Sequence, residues 1–117
     1  MAGDITIIIN DPPYGTEKAW NALRLAQTLR IMETTIQIFL LGDAVSIAKK
    51  GQEVPKGYYN LQEMITGLTT KGVKIIACVT CLKARGLQSE DIIPGVSAGG
   101  MKDLARWVAE GDKVLTF

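Results

Sequence analysis

The chain has 117 residues, of which 47% are apolar and 21% charged, with a net charge of +1. This composition excludes a disordered or membrane-embedded chain, and 1–117 reads as a single domain with a core of its own. Basic and acidic residues balance at 13 to 12 and aromatics make up 6%, so no positive field and no stacking platform invite direct nucleic-acid binding. No apolar run approaches the ~18–20 residues of a membrane span. Met1-Ala2-Gly3-Asp4 lacks the basic-then-apolar pattern of a signal peptide, so the expected compartment is the cytoplasm.

Histidine is absent. That removes Ser-His and Cys-His nucleophile pairs and histidine-based metal sites. Two cysteines alone do not close a four-ligand zinc site, so no metal and no cofactor is expected. Any chemistry must run through thiols, carboxylates, lysines or backbone amides.

Taken in order, residues 4–9 (Asp-Ile-Thr-Ile-Ile-Ile) predict a first strand, and Asn10-Asp11-Pro12-Pro13-Tyr14-Gly15 a rigid loop. Thr16 is the expected N-cap of a helix reaching about Met32, with Glu17 in its first turn. Ala19, Ala22, Leu23, Ala26 and Leu29 share one face of it, which Trp20 and Leu25 widen enough to hint at subunit packing. Residues 35–41 predict a second strand, 44–49 a short helix and 50–59 a polar surface loop. Asn60, with Glu63 three residues on, caps a helix whose stripe is Leu61, Met64, Ile65 and Leu68, and Gly72 ends it.

Residues 73–78 (Val-Lys-Ile-Ile-Ala-Cys) then read as a buried strand running straight into a helix that Gly86 stops. A thiol at such a junction meets unpaired backbone N–H groups, which favour the reactive thiolate. A small apolar residue closing a strand fits Cys78 equally well. Beyond Gly86, Ile92-Ile93-Pro94-Gly95-Val96 is too broken for a good strand, and Ser97-Ala98-Gly99-Gly100 is expected to be a tight turn. Met101, Leu104, Ala105 and Val108 form the stripe of a last helix with Trp107 off to one side, and residues 112–117 close the chain as a strand.

The alternation predicts a compact three-layer α/β domain, with a mostly parallel sheet of about five strands flanked by helices. Ligands in such sheets gather beyond the C-terminal strand ends, where Asn10-Asp11, Gly42-Asp43 and Cys78 should converge. Cys78-Val79-Thr80-Cys81 is a C-x-x-C pair, but it follows two βα units and lacks the flanking residues of a thioredoxin site. A disulfide within the pair remains open, since i and i+3 side chains meet across a helical turn. Gly15-Thr16-Glu17-Lys18 lacks the spacing and ending of a phosphate loop.

On these residues the chain resembles the DsrE/DsrF-like family almost end to end. The resemblance rests on the Gly15-Thr16-Glu17 helix entry with Asn21-Ala22-Leu23-Arg24-Leu25-Ala26, on Leu41-Gly42-Asp43-Ala44-Val45 and on Gly99-Gly100-Met101. Its most specific part is Cys78-x-x-Cys81-x-x-x-Arg85-Gly86. It implies a sulfur-relay role, in which Cys78 accepts sulfane sulfur as a persulfide and passes it on. Cys81 matches the second cysteine of the YchN-like branch, where TusD-like carriers have no thiol, and such a thiol could resolve the persulfide and release sulfide. Cys78 and Cys81 are therefore the catalytic candidates. Asn10 and Asp43 are expected to line the pocket, and Arg85 to steer an anionic donor or tie the helix end to a neighbouring subunit. The resemblance further implies a homo-oligomer, trimer or hexamer, with sulfur-donor and sulfur-acceptor proteins as partners. The alternative is a non-catalytic oligomeric scaffold whose cysteines are structural or redox-sensitive.

Overall fold

In the computed structural model, which describes residues 4–117, strands and helices alternate along the chain. The reading of residues 1–3 as part of a leaderless N-terminus lies outside the described residues. The strands β1 (Ile5–Ile9), β2 (Ile36–Leu40), β3 (Lys74–Cys78), β4 (Val96–Gly99) and β5 (Lys113–Thr116) form one sheet in the order β4-β3-β2-β1-β5. All four pairings are parallel, so the protein is a five-stranded α/β domain. The helices are α1 (Lys18–Ile31), α2 (Leu61–Thr70), α3 (Val79–Ala84) and α4 (Met101–Glu110).

The strand order fixes the layers. From β1 to β4 the chain steps in one direction, and right-handed crossovers put α1, α2 and α3 on one face. The return from β4 to β5 crosses the whole sheet the other way, which sends α4 to the opposite face. Strand side chains alternate accordingly. Ile7, Ile38 and Ile75 are in register and fully or almost fully buried, as are Ala19, Ala22, Leu23 and Ala26 of α1 and Leu61, Ile65 and Leu68 of α2. On the other face Ile8, Phe39 and Ile76 form a row, and Trp107 of α4 meets buried Phe39 edge-on, with ring centroids 5.9 Å apart. Two buried polar groups on that face satisfy each other: the Gln37 Nε2 donates to Thr6 Oγ1 at 3.0 Å.

Asn60 caps α2 as expected, its side-chain oxygen accepting from the Glu63 N–H at 3.1 Å. Three other expectations are corrected. Helix α1 begins at Lys18, and Thr16 caps it from one residue further out, its hydroxyl accepting the Lys18 N–H at 3.2 Å while donating to Asp11. Residues 96–99 are a strand rather than a turn, because a parallel partner in β3 supplies hydrogen bonds that local sequence does not advertise. In α4 only Leu104 of the expected stripe is buried, whereas Met101 and Val108 stand 62% and 44% exposed. The 50–59 loop is also better anchored than its polarity suggests. Tyr14, at φ 65, stacks on Tyr59, which stacks on Trp20; the Tyr14 hydroxyl donates to Gln52 and accepts from the Leu61 N–H.

Gly99 marks the tightest packing near the cysteines, because it pairs with Cys78 across the β3–β4 ladder. A Cβ there would lie 2.7 Å from Ile76 Cγ2 and 2.8 Å from Asp103 Oδ2, the oxygen that caps the Gly100 N–H. Gly99→Ala is therefore expected to destabilise the fold by about 1–3 kcal/mol, read as a lowered denaturation midpoint. An unchanged midpoint would show that Ile76 and Asp103 yield without cost.

Candidate functional site

Cys78 is both the last residue of β3 and the N-cap of α3, with no linker between them. Its sulfur therefore sits where the strand stops, and it accepts the N–H of Cys81 at 3.4 Å. The same turn sets the Cys81 thiol on the i+3 position beside the Cys78 sulfur. Both cysteines are free thiols; Cys78 is 8% exposed and Cys81 is half-buried.

The neighbouring strand end completes the surroundings. After β2 the chain enters a 3-10 turn, Gly42–Ala48, and the Gly42 N–H donates to the Cys81 sulfur at 3.2 Å. Gly42 has a φ of 56, a conformation open to glycine at little cost. Next to it, Asp43 Oδ1 accepts from Arg85 Nη2 at 2.8 Å and Nε at 3.2 Å, while Arg85 Nη1 donates to the Cys81 carbonyl at 3.0 Å. One guanidinium thus ties the β2 turn to the helix carrying the thiols. The exposed Asp43 carboxylate limits this pair to about 0–1 kcal/mol, so it positions more than it stabilises.

The Cys81 thiol is pushed above the ordinary range for a thiol. Its hydrogen bond to Cys78 is the largest cause, followed by burial; the Gly42 N–H and, more weakly, the Arg85 charge pull the other way. At neutral pH Cys81 accordingly keeps its proton. Cys78→Ala removes the largest raising cause, so Cys81 should ionise at lower pH and be alkylated faster at mildly alkaline pH than in the parent protein. Peptide-resolved labelling measures this, and an unchanged Cys81 rate would contradict the arrangement.

Of the five candidate residues, Cys78, Cys81, Asp43 and Arg85 lie together. Asn10 does not join them: its backbone N–H and side-chain amide both turn to the Phe117 carbonyl at the β1–β5 end, at 2.8 and 3.4 Å. With β2 between β1 and β3, two strand spacings of about 4.8 Å separate it from the β3 end. Sequence reasoning placed Gly42 at this edge only as the neighbour of Asp43; the reach of its backbone N–H to the Cys81 sulfur is a contact the sequence did not reveal. An apolar groove of about 290 Å³ runs along α3, lined by Val79, Leu82, Lys83, Leu87, Ile92 and Ala98 among others, and neither cysteine lines it. Among the described residues no cluster of three or more Cys, Asp or Glu is placed to hold a metal ion, and no helix is long and apolar enough to cross a membrane.

The fold and the site define a small all-parallel α/β domain carrying a dithiol at the C-terminal edge of its sheet. The chain belongs to the DsrE/DsrF-like family, whose sequence profile matches residues 3–117. It is 42% identical over 115 residues to protein YchN of Escherichia coli K12, covering 97% of each chain. To the uncharacterised protein MK0008 of Methanopyrus kandleri it is also 42% identical, over 113 residues, covering 97% of this chain and 93% of that one. The crystal structure of E. coli YchN superposes with a TM-score of 0.94 at 41% identity over 100% of both chains.

Proposed function

We propose that the protein is a sulfur-relay protein that accepts sulfane sulfur on Cys78 as a persulfide and passes it to a thiol. The observation that carries this reading is the Cys78 sulfur itself, ending β3 and held by the Cys81 N–H at the start of α3. The Cys78 thiolate attacks the outer sulfur of a donor persulfide; a new S–S bond forms on Cys78 and the donor leaves as its thiolate. An acceptor thiolate then attacks the outer sulfur of Cys78, which departs as thiolate. Cys78 is 8% exposed, so a small terminal sulfur reaches it more readily than a bulky group. The test is exposure of the reduced protein to a low-molecular-weight alkyl persulfide, followed by intact mass. One added sulfur, removable by thiol, is expected; no uptake by reduced, folded protein would exclude the role.

The same low exposure favours a second reading, a non-catalytic oligomer whose dithiol is structural or redox-sensitive. Under either reading we propose a homo-oligomer. Support comes from the α4 face, where Met101, Val108 and Val114 are exposed and Ile8 and Ile76 only partly covered. Light scattering is expected to report a mass several times that of the chain, and Val108→Asp to reduce it. A monomer at micromolar concentration would count against the assembly.

A further inference from the structure

Beyond carrying sulfur, the site has a second thiol one helical turn from the first. We propose that Cys81 discharges loaded Cys78 by attacking its inner sulfur, releasing sulfide and closing a Cys78–Cys81 disulfide. This rests on the carrier reading above and assigns its product: sulfide, with the protein's own dithiol as the electron source.

The geometry selects the inner sulfur. The Cys81 N–H donates to Cys78 Sγ at 3.4 Å, which seats the second thiol one turn from the atom that stays on the protein when an outer sulfur is added. The pair spans i to i+3 at the start of α3, a separation within the Cα range a disulfide accepts. The Cys81 backbone is clamped at its carbonyl by Arg85 and its sulfur is met by the Gly42 N–H at 3.2 Å, so the attacking atom is held in place.

The step balances. Cys78–S–S⁻ and Cys81–SH become Cys78–S–S–Cys81 and HS⁻. The Cys81–Cys78 sulfur bond forms, the bond from Cys78 to the outer sulfur breaks, and the Cys81 proton ends on the departing sulfide. The sulfane sulfur is reduced, and the two thiols are oxidised to a disulfide. A low-molecular-weight thiol or a dithiol reductant then restores the pair.

Loading itself arms the attack. In the unloaded pair, contact with Cys78 and burial push the Cys81 thiol up. Once Cys78 carries an outer sulfur, negative charge moves outward onto that atom. The Gly42 N–H and Arg85 remain beside Cys81, and both favour its thiolate. Gly42 is thus a positioning residue.

The experiment loads wild type and Cys81→Ser anaerobically with an alkyl persulfide, removes the donor rapidly, and follows intact mass and free sulfide. Wild type is expected to lose its added sulfur as one sulfide per chain and to finish two hydrogens lighter than the reduced protein. Cys81→Ser should hold its sulfur at least about tenfold longer, because an intramolecular attack is lost. Should the serine variant fold poorly, Cys81→Ala serves the same purpose. Equal retention in wild type and variant, or loss of sulfur without a disulfide, would overturn the discharge and leave the carrier intact. If folded Cys81→Ser never takes up sulfur, the carrier reading fails first and the discharge with it.

Discussion

Replacing Phe39 with alanine is expected to cost about 3–5 kcal/mol of stability, the range for deleting a buried phenylalanine. Phe39 is fully buried in β2, the middle strand of the sheet, with Ile8 and Ile76 beside it in register. Its ring is also the surface against which Trp107 holds α4. The substitution therefore opens a cavity and removes an aromatic pair worth about 0.5–1.5 kcal/mol beyond its area. A domain of this size has roughly 5–15 kcal/mol in total, so a large part of the margin should go. Urea denaturation monitored by Trp107 and Trp20 fluorescence measures it. A loss below 1 kcal/mol would mean that α4 packs independently of Phe39.

Cys78→Ser is expected to abolish sulfur uptake while leaving the fold in place. A serine hydroxyl at the N-cap accepts the Cys81 N–H at least as well as a sulfur, since serine is among the favoured N-cap residues. The denaturation midpoint should therefore change little, but no side chain at the strand end would remain to form a persulfide. The separation of the two readouts distinguishes a lost nucleophile from a damaged fold. Uptake persisting in Cys78→Ser would place the sulfur on Cys81 instead.

Much of this was legible in the sequence because the signals were local. The β-branched runs, the Asn60/Glu63 cap, the glycines closing helices and the Cys78-to-Cys81 turn are all written in a few neighbouring residues. Strand β4 was not: Val96-Ser97-Ala98-Gly99 has weak strand character and becomes a strand through its ladder to β3. The exposed side of α4 escaped for a related reason, since periodicity gives the apolar face of a helix but not whether the same chain covers it. At the site, the nearness of Asp43 to Cys78 followed from a parallel sheet. Asn10 lies at the same edge, yet β2 intervenes and its amide is taken by Phe117, and strand order alone decides that. The Gly42 N–H on Cys81 is a contact between sequence-distant turns.

Fragment-level mass spectrometry locates the transferred sulfur on one cysteine or the other. Trypsin cleavage after Lys74 and Lys83 isolates residues 75–83, containing both cysteines with Val79 and Thr80 between them. After exposure of reduced Cys81→Ala to an alkyl persulfide and alkylation, fragmentation should find the extra sulfur on Cys78. The reciprocal Cys78→Ala variant should carry none. Extra sulfur on Cys81 of that reciprocal variant, with Cys78 unmodified in the first, would exclude Cys78 as the carrier.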